Sequence, residues 1–155
     1  MASIDEVLAQ EDPTTFAIAL SDLVFPRWDR DGFDALTPAE RVAYCVDALE
    51  REVNNGGFHQ FFLNSSGDTT AETAAALEAI GAAAAGSLFA RAVVAFPGGH
   101  PPKDRGQRVE ILEGVSEETR ETWLALDDEF YTYPDDLTAL MRRFVELHRG
   151  EFRAW

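Results

Sequence analysis

The sequence predicts an all-α fold, and three observations carry that prediction. Apolar residues recur at helical spacing in several segments. Capping residues and glycine or proline stops bracket those segments. No run shows the period-two alternation of a half-buried strand. About seven helices are expected, in one compact domain over residues 1–155.

The elements follow in order. Phe16, Leu20, Leu23 and Val24 share a stripe over residues 14–25, which Pro26 is expected to end. The stretch from Arg27 to Phe33 then reads as a loop or short turn. The clearest helix spans 38–54. Thr37 and Glu40 form a capping box, and Pro38 takes the first helical position. Val42, Cys45, Val46, Leu49 and Val53 make its inward stripe, with Glu40, Asp47 and Arg51 expected opposite. Asn54-Asn55-Gly56-Gly57 stops it, since Asn and Gly accept the left-handed conformation of a helix end. Residues 58–64 read as one or two aromatic helical turns, and Ser65 to Asp68 as a turn. Thr69 and Glu72 suggest a second capping box, opening an alanine-rich helix to about residue 84. Further helices are expected over 86–96, 105–113 and 117–131, the last capped by Ser116. Pro134 and Asp135 open a final helix to about 149, with Leu137, Leu140, Met141, Phe144 and His148 on its stripe.

Charge limits the partners. Asp and Glu number 28 against 13 Lys and Arg, a net −15. Such a chain repels the phosphate backbone of nucleic acids and anionic membrane surfaces, and attracts basic proteins. Lys103 is the only lysine. That bias equally fits a GC-rich coding sequence or adaptation to high salt. No apolar run reaches the roughly 18 residues of a membrane helix, and the start lacks the pattern of a secretory signal. The single cysteine, Cys45, suits a reducing cytoplasm.

The usual catalytic and cofactor patterns are missing. His59, His100 and His148 lie far apart, with no metal-binding spacing, and no metal or cofactor is expected. Glu110 and Glu113 share a helix face without a nearby histidine. Cys45 sits mid-stripe, where a thiol is buried and inert. No nucleophile elbow or phosphate loop occurs.

Two segments stand out. In 54–67, Asn54, Asn55, Gln60, Asn64 and Ser66 accompany Phe58, Phe61 and Phe62. They read either as a structural corner, with amides satisfying buried backbone groups, or as a small-molecule or peptide site. In 117–131, Glu117, Glu118, Glu121, Asp128 and Glu129 project to one side and Trp123, Leu126 and Phe130 to the other. Residues four apart on a helix rise about 6 Å, close to the roughly 6–7 Å expected between successive phosphates on one DNA strand. Asp135 and Asp136 extend the charge. The row reads either as an ordinary solvated face or as a phosphate-like surface offered to a DNA-binding protein. Trp28 and Trp155 are candidates for either core or a dimer surface.

The stretch Leu49 to Gly67 resembles the DNA-mimic-protein-19-like family, also described as domain of unknown function 4375. Asn55, Gly56, Gly57, Phe58, Gln60, Phe61, Asn64, Ser66 and Gly67 match the motif. Ala76-Leu77-Glu78-Ala79-Ile80-Gly81 resembles the next helix of the family, and Leu126 to Tyr131 its acidic–aromatic motif, which contains Asp127, Asp128 and Glu129. The resemblance implies an all-α domain, of a kind usually without known catalysis. The family's namesake is understood as a dimer whose acidic surface imitates duplex DNA and occupies a helix-turn-helix transcription factor. The leading expectation is therefore a non-enzymatic acidic protein, a homodimer like the namesake, that competes with DNA for a basic partner. The alternative is a small-molecule or peptide-binding module built on Asn55, Gln60 and Asn64, and an enzyme with an unrecognised constellation comes third.

Overall fold

The computed structural model describes residues 2–154, and Trp155 lies outside them. Eight α-helices follow one another without a strand among the described residues: α1 (Ile4–Leu8), α2 (Pro13–Asp31), α3 (Pro38–Leu63), α4 (Thr70–Ala79), α5 (Ala83–Ala95), α6 (Arg105–Glu113), α7 (Glu117–Tyr131) and α8 (Leu137–Leu147). Short 3-10 turns cover Phe33–Ala35, Ser65–Thr69 and Arg149–Glu151. One hydrophobic cluster draws residues from all eight helices. The long helix α3 is its axis, packing against α2, α4, α6, α7 and α8. No described helix is long and apolar enough to cross a membrane.

The all-α class agrees with the sequence, but several boundaries move. The short helix α1 was not expected; Ser3 and Glu6 form its capping box. Pro26 does not end α2, which runs on to Asp31 and stops at Gly32. A proline inside a helix removes one backbone bond. Anchors beyond it offset that loss. Arg27 Nη1 donates to Glu40 Oε2 at 2.7 Å, and the Trp28 ring stacks on Tyr44 at 4.9 Å. Half-buried Trp28 therefore belongs to the fold.

Helical spacing puts Glu40 on the outer face of α3, yet it is 0% exposed. Besides Arg27 it accepts from Arg153 Nε at 3.0 Å and from the Thr37 amide at 2.9 Å. Burial pushes its carboxyl up, but the bonds from Arg153 and Thr37 and the two guanidinium charges outweigh burial and hold it below the usual glutamate value. Arg27 also donates to the carbonyls of Arg153 and Ala154, which ties the end of the described chain to α2.

The second capping box does not form. The 3-10 turn Ser65–Thr69 leads straight into α4, and Thr69 makes no side-chain cap bond. Instead the Thr69 hydroxyl donates to the Ser66 carbonyl at 3.3 Å. The alanine-rich segment breaks at Gly81, whose φ of 78° suits glycine. It therefore divides into α4 and α5 earlier than the sequence suggests. In α8, Asp136 is the N-cap, accepting from the Ala139 amide at 3.0 Å.

The side chain most unlike its usual setting is Arg108 on α6, which is 0% exposed. Its guanidinium serves the end of α3. Nε donates to the Phe62 carbonyl at 2.8 Å and Nη2 to the Asn64 carbonyl at 3.0 Å. Nη1 reaches the carbonyls of Pro102 and Lys103, and Nη2 also meets Asp68 Oδ1 at 2.5 Å. The Asn64 carbonyl also accepts from the Gly67 amide at 3.1 Å, and Arg108, by joining these carbonyls, holds the loop before α6 to the end of α3. Arg108→Met is expected to cost at least about 3 kcal/mol, because it leaves buried acceptors unpaired. Urea denaturation checks this; a loss below about 1 kcal/mol would show that water replaces the guanidinium.

Candidate functional site

The sequence motif 54–67 forms an elbow inside α3. Two glycines interrupt the helix, and Gly57 has φ 77° and ψ −175°, a region open essentially to glycine alone. The chain turns there and resumes as a second helical leg. The first amide of that leg, Phe58 N–H, donates to Asp127 Oδ1 at 2.8 Å, so a carboxylate from α7 caps it. The approach is close: a Cβ on Gly57 would lie 2.2 Å from Asp127 Oδ2.

Other bonds brace the bend. Glu52, on the first leg, accepts from Gln60 Nε2 at 2.7 Å and Asn64 Nδ2 at 3.0 Å, both on or just past the second. The Tyr131 hydroxyl donates to the Val53 carbonyl at 2.9 Å. Asn54 Nδ2 donates to the Tyr133 hydroxyl at 2.7 Å, and that hydroxyl donates to Glu50 Oε2 at 3.1 Å. The Phe58 and Phe130 rings meet edge to face at 6.1 Å. The two stretches that carry the family resemblance, 54–67 and 126–131, therefore lock together in space.

Phe58, Phe61 and Phe62 are 0% exposed and belong to the core. The amides of Gln60 and Asn64 are engaged by Glu52, and the Ser66 hydroxyl by the Phe61 carbonyl at 2.7 Å. Gly67 leaves room for the Arg108 guanidinium, whose Nε would lie 2.7 Å from a Cβ there. Asn54, Asn55, Gly56 and Ser65 are exposed, and Gln60 and Asn64 are half-buried. These contacts are those of a structural corner. Glu52 and Arg108 are the partners that sequence reasoning missed; neither follows helical periodicity, and both become evident only once the chain is folded.

The predicted acidic set divides. Asp127 belongs to the interior, 7% exposed. Burial raises its carboxyl above the usual aspartate value, the Phe58 amide opposes that rise, and Asp128 adds to it. Half-buried Asp135 accepts from the Ala85 amide at 2.8 Å, near the start of α5, and Asp136 caps α8. Glu129 is exposed but pairs with Arg91, Nη2 to Oε2 at 2.5 Å. Burial is not what moves it: the Arg91 bond leads in holding its carboxyl below the usual range.

Glu117, Glu118, Glu121 and Asp128 remain exposed, with no ion pair among the described residues. Glu117 to Asp128 covers about 16 Å of helix rise. Leu124 lies on the same face and is 62% exposed. Beside it a shallow hollow of about 190 Å³ is walled by Gly56, His59, Glu117, Arg120 and Trp123.

The histidines stay apart. His59 faces the Trp123 ring at 6.1 Å, and burial, followed by the nearby Arg120 charge, lowers its basicity. His148 Nδ1 lies 2.7 Å from Glu151 Oε2, and His100 is exposed in a loop. Burial pushes the Cys45 thiol up to about 11. No group of three or more His, Cys, Asp or Glu residues among the described residues is arranged to hold a metal ion.

Fold and site define an all-α acidic protein with one helix face of unpaired carboxylates around an exposed leucine. Residues 34–148 match the family model described as DMP19-like protein, and the chain belongs to that family. Comparison with curated proteins and with solved structures gives no match.

Gly57→Ala is expected to cost about 3 kcal/mol or more, from backbone strain together with collision with Asp127. Asp127→Asn keeps an acceptor for Phe58 and costs less. The fold raises the Asp127 pKa, so it favours the protonated form. As pH falls from neutral through that raised value, the wild type gains stability relative to Asp127→Asn, and the gain ends below the unfolded value of about 3.9. Denaturation of the three proteins across this range checks both statements. A wild type that loses ground to Asp127→Asn on acidification would contradict the assignment.

Proposed function

We propose that the protein is a cytoplasmic, non-enzymatic interaction protein whose α7 face occupies the DNA-binding surface of a basic partner. A helix-turn-helix transcription factor is the partner class with the right charge and shape. The observation that carries the reading is the exposed row Glu117, Glu118, Glu121 and Asp128, which lacks cationic partners among the described residues. Opposite charges three or four residues apart on a helix pair with one another, and these four carboxylates make no such pair among the described residues. Here the field of a chain with net charge −15 is left open to an external cation.

Charge alone gives attraction without register. Leu124 supplies an apolar contact at the centre of the row, and the adjoining hollow can admit a side chain from the partner. Apolar anchors of this kind, ringed by charge, concentrate binding energy. Membership of the DMP19-like family supports the reading. A homodimer belongs to the same proposal, since it would present the row twice. Light scattering after size exclusion checks that point, and a 17.1 kDa species would contradict it.

The test begins with capture of partners at low salt, elution by a salt gradient, and displacement by duplex DNA. A captured regulator should lose affinity steeply between about 50 and 200 mM salt. Replacing the row by Glu117→Gln, Glu118→Gln, Glu121→Gln and Asp128→Asn should weaken it at least tenfold, while leaving the melting temperature within a few degrees of wild type. Leu124→Ala should weaken binding without changing the salt slope. Salt-insensitive binding, or equal binding by the row variant, would refute the proposal.

A further inference from the structure

A second feature lies away from α7, between α2 and α3 with a wall from α8. It is a half-enclosed pocket of about 40 Å³. Phe16, Leu20, Val24, Tyr44 and Met141 give it an apolar lining. Asp47, Glu50, Ser21 and Thr138 add polar groups to the lining, and no lining residue is basic. A single buried water needs about 10–15 Å³ of such volume, so the pocket holds a chain of about three or four heavy atoms. Most of the lining is apolar, which favours a chain of carbons over a cluster of waters.

The charges select the ligand. Asp47 accepts from Ser21 Oγ at 3.3 Å and pairs with Arg51 at 2.8 Å. Glu50 is half-buried and receives only the Tyr133 hydroxyl, with no cationic partner among the described residues. Asp136 lies near enough to add its repulsion. An anion is therefore excluded, and a neutral apolar molecule would leave Glu50 uncompensated beside it. The aromatic rings do not form a free cage for a quaternary ammonium. Arg142 already sits 4.2 Å from the Phe16 centroid, and Arg51 4.9 Å from that of Phe25. What remains for a head group is carboxylate and hydroxyl acceptors, which want a donor with several N–H bonds.

We infer that this pocket binds a small free primary alkylammonium ion, its chain of about four carbons against Leu20, Val24 and Met141 and its ammonium between Glu50 and Asp47. The site is independent of the α7 row, and neither inference depends on the other.

NMR titration of the full chain with n-butylammonium, in about 0.15 M salt to screen diffuse attraction, tests it. Saturable amide shifts are expected on α2 and α3 around Leu20–Val24 and Val46–Glu50. Affinity should rise about fourfold per methylene from ethyl- to butylammonium. n-Butanol and tetramethylammonium should each bind at least tenfold more weakly. Glu50→Gln should weaken butylammonium at least fivefold with an unchanged melting curve. Should that variant not fold, the comparison of amine with alcohol on the wild type decides alone. Shifts spread over the acidic surface without saturation, or equal binding of butanol, would overturn the assignment. Comparable binding of an acetyl-lysine amide would give the pocket to a partner's side chain and would likewise overturn the free-amine reading.

Discussion

The hydrogen bond from the Phe58 amide to Asp127 fixes where α7 lies against α3. Its geometry requires a residue without a side chain at 57, a left-handed turn there, and an aspartate on the neighbouring helix at the height of the bend. Once these are in place, the rest of the packing follows. Phe130 meets Phe58, and Tyr131 reaches the Val53 carbonyl that the bend leaves at the end of the first leg. Trp123 enters the core, its indole N–H donating to the Ala92 carbonyl at 3.0 Å. With Trp123, Leu126, Asp127 and Phe130 turned inward, the remaining positions of α7 must face outward. The carboxylate row is the outer side of the helix whose inner side closes the elbow.

Acidic side chains in this molecule do two kinds of work. Glu40, Glu52, Asp127 and Asp135 are acceptors for internal donors: guanidinium groups, side-chain amides and backbone N–H groups. Such positions are costly to alter, because an unpaired buried partner remains behind. Among the described residues, the carboxylates of Glu117, Glu118, Glu121 and Asp128 accept from no side chain or amide, so they can be neutralised with little loss of stability. Net charge counts both kinds alike. Exposed carboxylates without a hydrogen bond among the described residues also stand at Asp22, Asp29, Glu78, Glu110, Glu113 and Glu146, while those of α7 form a row along one helix.

The helices were legible in the sequence where period and caps agreed. The clearest cases are α3 from Thr37, α6, and α7 from Ser116. Boundaries failed where a tertiary anchor overrode a local signal. Pro26 was outweighed by Arg27 and Trp28 beyond it, and the Thr69 box by the 3-10 turn that Arg108 and Gly67 help to hold. Glu40 was misplaced because helical position alone cannot reveal two arginines arriving from residues 27 and 153. The same holds for Asp127. It shares an acidic run with Asp128 and Glu129, and only its angular position, beside Trp123 and Phe130, separates it from them. The pocket between α2 and α3 left no trace in the sequence, since its walls come from three helices whose packing angles the sequence does not state.

The central claim is that the elbow is a closed structural joint, sealed by Asp127. Native-state hydrogen exchange at the Phe58 amide tests it most directly. That amide should exchange only through global unfolding, with an opening free energy equal to the stability measured by denaturant, and Asp127→Ala should release it selectively. Rapid exchange of Phe58 in the wild type, at a rate typical of an exposed loop, would show that the joint opens freely. It would contradict the account of how α7 is held.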